Sequence, residues 1–187
     1  MAKKSRDFGF VSFGNNGARF ERVGGYRAYY LRGEGQLTAT TPPNGPTNGD
    51  DYNTYLRIQI NDVAHDYVSE CNLMNNPFDR NNDGGSFHCS INKWYASGDV
   101  HFEYTLLHLI DVPNAVVGMG GLTLTKLKVP APGVYPKELP WRAHGHRRFD
   151  DQPAFSGIKT ISVSIKAGSE SVTNGGIAGR VQLIGLR

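Results

Sequence analysis

Apolar and polar residues alternate with a period of two over several stretches of the chain. Leu56, Ile58 and Ile60 alternate with Arg57, Gln59 and Asn61. Val100, Phe102 and Tyr104 alternate with His101, Glu103 and Thr105, and Ile161, Val163 and Ile165 with Ser162, Ser164 and Lys166. Successive side chains of a strand leave opposite faces, so each set predicts a strand with one buried and one wet face. Further strands are expected at Phe8 to Phe13, Ala18 to Val23, Tyr26 to Arg32, Gln36 to Thr40, Ala64 to Leu73, Ser86 to Trp94, Gly121 to Val129 and Gly179 to Leu186. Gly14-Asn15-Asn16-Gly17 and Gly33-Glu34-Gly35 read as hairpin turns, because Gly and Asn tolerate the positive φ that tight turns demand. Between Leu124 and Leu127 the apolar parity slips, which predicts a bulge near Lys126. Thr105 to Asp111 is read as strand, and no window of a dozen residues carries helical periodicity.

Three long loops are expected: Thr41 to Asn53, the polar stretch Asn75 to Gly85, and the proline-rich stretch Pro130 to Gly157. About ten short strands joined by such turns predict an all-β, antiparallel sandwich, jelly-roll-like, in a single domain spanning residues 1–187. The 23 glycines and 10 prolines of the 187 residues fit that plan, being dispersed rather than gathered in a low-complexity run.

Charge narrows the function classes. Twenty basic against 17 acidic residues leave a net +3, too weak a bias for a surface built to neutralise many phosphates, so nucleic acid is not expected as a partner. No apolar run reaches about 18 residues, so no membrane span is expected, and no apolar segment follows Lys3 and Lys4 as a secretory signal would require. Two cysteines cannot make a disulfide framework. Cys71 and Cys89 flank one loop and can be neighbours, either as buried thiols or as a bridge.

Candidate chemistry is sparse. Asp79, Asn81 and Asp83, followed by Gly84, match the opening of a calcium loop, in which oxygen ligands alternate and glycine makes the turn. The position of the closing acidic ligand holds Ser90, and a plain polar turn is the competing reading. No other cofactor is expected. His144 and His146, with Asp150 and Asp151 near, fall short of a zinc ligand set. His101 and Glu103 share an outward strand face, with His88 also read as outward, but form no recognised acid–base arrangement. Cys89 alternates with Phe87 and Ile91 and is read as core. Neither a nucleophile elbow nor a phosphate loop nor a dinucleotide fingerprint is present, so an enzyme is not expected. Trp141, in the proline-rich stretch beside Arg142, is the candidate interface anchor; Tyr135, Asp150 and Asp151 would complete an interface or glycan site with them.

The opening Asp7-Phe8-Gly9-Phe10-Val11-Ser12-Phe13-Gly14-Asn15-Asn16-Gly17-Ala18-Arg19-Phe20 is similar to the start of small tail-associated proteins of tailed bacteriophages, and Gly175 to Arg187 looks like the final strand of a viral β-sandwich. The resemblance implies a non-enzymatic structural protein of a bacteriophage virion, at the tail tip, baseplate, fibre or capsid surface, whose partners are other virion proteins and copies of itself. Two alternatives are a carbohydrate- or receptor-binding module that engages a host surface glycan, and a small jelly-roll capsid protein of an icosahedral virus.

Overall fold

The computed structural model describes residues 4–14, 17–39, 54–73, 76–91, 97–109, 111–112, 114–128, 138–152, 155–167 and 175–187. They form twelve strands: β1 (Ser5–Phe13), β2 (Ala18–Glu21), β3 (Ala28–Ala39), β4 (Thr54–Ile60), β5 (Tyr67–Leu73), β6 (Asn76–Gly84), β7 (Phe87–Ile91), β8 (Ser97–His108), β9 (Ala115–Lys128), β10 (Glu138–Arg148), β11 (Thr160–Ala167) and β12 (Gly175–Leu186). All pair antiparallel, in an eight-stranded sheet ordered β1-β12-β3-β8-β9-β10-β5-β6 and a four-stranded sheet ordered β2-β11-β4-β7. The expected all-β sandwich is therefore the fold.

The pairing is nested. β4 pairs with β7, β3 with β8, β2 with β11 and β1 with β12, and successive pairs alternate between the two sheets. That is the wrap of a jelly roll, a long antiparallel hairpin rolled into two sheets. Two further hairpins are inserted into it. β5 and β6 interrupt the β4–β7 connection, and β9 and β10 interrupt the β8–β11 connection; both join the large sheet beyond β8.

The core lies between the sheets. Leu56, Ile58, Ile60, Ile161 and Val163 from the small sheet meet Leu31, Val100, Phe102, Tyr104, Leu122 and Leu183 from the large one. Each such side chain contributes about 1.5–3 kcal/mol on burial. Tyr29 and Tyr67 are buried to their hydroxyls, which meet backbone: Tyr29 donates to Val23 O at 2.9 Å, and Tyr67 accepts from Ile60 N at 2.9 Å. Burial pushes both phenols up to about 12.

Several expectations change. Gly33-Glu34-Gly35 is not a turn, since β3 runs through it without a break. Its glycines serve close packing: a Cβ on Gly33 would fall on the Phe102 ring, and one on Gly35 would lie 2.6 Å from Ala178 O. Gly14 and Gly17 do close a tight turn, with Gly17 N–H donating to Gly14 O at 2.9 Å, but β1 and β2 then enter different sheets, so it makes a sandwich corner and no hairpin. Asn75 to Gly85 is no loop, because residues 76–84 form edge strand β6. Pro77 is tolerated there because an edge strand has one side without ladder bonds. Pro130 to Gly157 contains β10. Pro140 pairs with Thr123 of β9, and the described β5 pairing starts one residue later at Trp141. Thr41 to Asn53 lies outside the described residues.

The bulge is present. Asp99 pairs with Thr125 but Ser97 with Lys128, so β9 carries one extra residue, and Lys126 takes φ +52°. Its ammonium reaches Asp99 Oδ2 at 2.6 Å.

Candidate functional site

β10 separates the residues singled out for an interface. Trp141 is not in a loop; it sits in β10 opposite Leu122 and Leu73, and its side chain is outside the described residues. Arg142 is exposed on the outer face of the large sheet. Asp150 and Asp151 lie past the other end of β10, roughly 20 Å of extended chain away. Tyr135 is outside the described residues, as are the side chains of Asp79, Asn81 and Asp83, whose backbone runs in β6.

Around Asp151 a different cluster forms. The Arg147 side chain is wholly buried and stacks its guanidinium over Phe149, 4.1 Å from the ring centroid. It donates from Nε to His65 O at 2.9 Å, from Nη1 to Arg148 O at 2.9 Å, and from Nη2 to both Asp151 oxygens at 3.2 and 3.0 Å. Those bonds hold the Asp151 carboxyl below its ordinary range. His65 lies between Asp66, 2.7 Å from Nδ1, and Asp151, 3.7 Å from Nε2. These three exposed groups have ligand atoms within 4.8 Å of one another. Arg147 already neutralises Asp151, so the cluster has the form of a clasp between the β4–β5 connection and the end of β10. Asp150 pairs separately, with Arg148 Nε at 2.8 Å.

The broadest exposed feature is the outer face of the eight-stranded sheet. Its register aligns side chains in rows across the strands. One row runs Leu186, Ala28, Leu107, Val117, His146 and Val68; the next runs Ile184, Tyr30, Thr105, Met119, His144 and Glu70. The exposed apolar members are Leu186 on β12 and Leu107 on β8, at 40%, and Met119 on β9, at 60%, with the half-buried Ala28 of β3 between Leu186 and Leu107. Val112, 39% exposed, follows Leu107 beyond the end of β8. The remaining rows carry the charged residues, and one of them ends at Phe10 of β1, 54% exposed. Arg32 faces Glu103, and Glu34 faces His101. Glu34 accepts from Arg180 Nε at 2.7 Å, and Glu103 accepts from Tyr30, whose phenol is raised by burial and by that bond. Arg32, Glu34, His101, Glu103, Gly121 and Thr123 line a groove of about 360 Å³.

His101 and Glu103 thus share the outward face as expected. His88 does not, being 5% exposed, while Cys89 is core, so β7 is buried at both positions. The alternating pattern signalled the polar rows, but the apolar band has no sequence signature, because Leu107, Met119 and Leu186 meet only through strand register. No family model, curated protein or solved structure matches this chain.

Proposed function

We propose that the chain is a non-enzymatic structural subunit of a virion, acting by assembly with copies of itself. The supporting observation is the apolar band on the outer face of a jelly-roll sheet widened to eight strands. Met119, Leu107 and Leu186 stand exposed in adjacent rows, flanked by rows of both charge signs. Bands of that kind, rimmed by polar residues, mark surfaces that other protein covers. Opposed charges beside the band would set the register of a symmetric contact. The jelly-roll wrap favours a shell subunit over a tail component within this reading. The opening segment, similar to tail-associated phage proteins, falls on β1 and β2, and the closing one, like the last strand of a viral β-sandwich, on β12.

Light scattering and negative-stain microscopy over a range of concentrations test it. The expected result is a defined closed oligomer or particle that Met119→Lys with Leu107→Lys returns to monomer without lowering Tm. A wild type that stays monomeric at all concentrations sinks the proposal.

A second reading rests on the groove beside Arg32 and Glu103, which is polar, open and large enough for a monosaccharide. In that reading the protein is a glycan-binding module. A glycan array separates the two, since binding must be lost in Arg32→Ala with assembly unchanged.

A further inference from the structure

Cys71 lies on β5 of the large sheet and Cys89 on β7 of the small one. Both are buried, and their sulfurs are 3.4 Å apart across the sandwich. A disulfide needs about 2.05 Å, so the two sulfurs must approach by a little over 1 Å to bond. The register brings the two together without help from neighbouring sequence: Cys71 sits opposite Ala143 of β10, and Cys89 opposite Leu56 of β4. The surroundings are apolar and aromatic, with Phe87 and Tyr104 nearby at 6.2 Å between ring centroids. Cys89 is held as the thiol, since its hydrogen bond with Cys71, and then burial, raise its ionisation well above the ordinary value.

We propose that Cys71 and Cys89 are a redox pair, dithiol in a reducing compartment and an inter-sheet disulfide in an oxidising one. The oxidant is a small-molecule disulfide. As the β5–β6 insertion, at one edge of the large sheet, opens locally, one cysteine thiolate attacks that disulfide, and a first small thiolate leaves. The second cysteine thiolate then attacks the mixed disulfide, forming the Cys71–Cys89 bond and expelling a second small thiolate. The two cysteines lose two electrons and two protons; the small disulfide gains both and becomes two thiols. The bond ties the inserted hairpin to the small sheet and closes a loop between residues 18 apart in sequence. Cross-links over loops of this length raise stability mainly by restricting the unfolded chain.

The test is a redox titration of the folded wild-type protein in mixtures of oxidised and reduced glutathione. It is read by intact mass and non-reducing peptide mapping. The expected product is a single chain without intermolecular disulfides, lighter by roughly 2 Da, with Cys71 and Cys89 in one cross-linked peptide pair. Its Tm should exceed that of the dithiol by roughly 5–10 °C. In Cys89→Ser the same treatment should leave Tm unchanged and yield a glutathione adduct or no reaction. Should that variant fail to fold, the wild-type titration and Tm comparison carry the test alone. The proposal is overturned if the folded protein keeps both thiols under conditions that oxidise the denatured chain. It is equally overturned if the bond forms and Tm does not rise.

Discussion

Arg147 and Asp151 meet through two hydrogen bonds from one nitrogen, with the arginine side chain wholly buried and the aspartate at the surface. The pair fixes the chain where it leaves β10. Arg147 lowers the Asp151 carboxyl, so the folded protein binds that proton more weakly than the unfolded chain. The resulting stabilisation is complete above the ordinary carboxylate range, near pH 4, and is lost as pH falls through the lowered folded value. Asp151→Asn should therefore be less stable than wild type at pH 7. The urea midpoints of the two proteins should converge as acid is added. Identical midpoints at pH 7 would show that the pair contributes nothing. Arg147→Ala is a harsher change. It strips the stacking on Phe149 and leaves a cavity and the carbonyls of His65 and Arg148 without their donor, at a cost of about 3 kcal/mol or more.

Gly33 and Phe102 share one space. The Phe102 ring occupies the position a Cβ on Gly33 would take, in the middle of the β3–β8 pairing. A methyl group added there must displace a buried ring, and overpacking of that kind costs about 1–3 kcal/mol. Gly33→Ala should lower the urea midpoint accordingly. Phe102→Leu on the same background should restore part of the loss, because the smaller side chain vacates the contested volume. Strict additivity of the two changes in a double-mutant cycle would refute the shared-space account.

That pair also marks the limit of what the chain discloses by itself. Alternation at Leu56 to Ile60 and at Val100 to Tyr104 identified strands whose one face is core, because burial of alternate side chains is a local constraint. The slip between Leu124 and Leu127 located the bulge at Lys126 for the same reason. Glycine was ambiguous. It serves a tight turn at Gly17 and close packing at Gly33, and only the partner strand tells these apart. Prolines and polar runs hid β10 and β6, since strand ends and edges tolerate residues that the middle of a central strand excludes. Nothing local marks Arg147 as buried, because its side chain is enclosed only where Asp151 and Phe149 converge on it. The outward band of Leu107, Met119 and Leu186 and the meeting of Cys71 with Cys89 are products of register and sheet packing, which no single segment encodes.

Asn61 joins the end of β4 to the start of β11. Its Oδ1 accepts from Lys159 N at 2.7 Å and Thr160 N at 3.1 Å, while Nδ2 donates to Gly157 O at 3.0 Å. Its φ of +54° is one that asparagine accepts more readily than most residues. Asn61→Ala removes all three side-chain bonds and adds backbone strain, for an expected loss of about 2–3 kcal/mol in denaturant unfolding. Asn61→Gly removes the bonds but relieves the strain, so it should be the milder change. The reverse order would mean that the side-chain bonds do not anchor this corner.

Tyr104 carries its hydroxyl into the core beside the two cysteines and finds no hydrogen-bond partner among the described residues. Burial, and then the nearby sulfurs, push its ionisation far above the ordinary tyrosine value. A buried hydroxyl without a partner costs about 1–3 kcal/mol of lost hydration. Replacing it by hydrogen removes that cost and leaves a void smaller than a methyl group. Tyr104→Phe should thus match or exceed wild type in stability, by about 1 kcal/mol, unlike most core substitutions. The same variant isolates the hydroxyl from the ring, since packing on Phe87 is retained. A marked loss of stability would instead mean that an ordered water or a sulfur atom satisfies the hydroxyl.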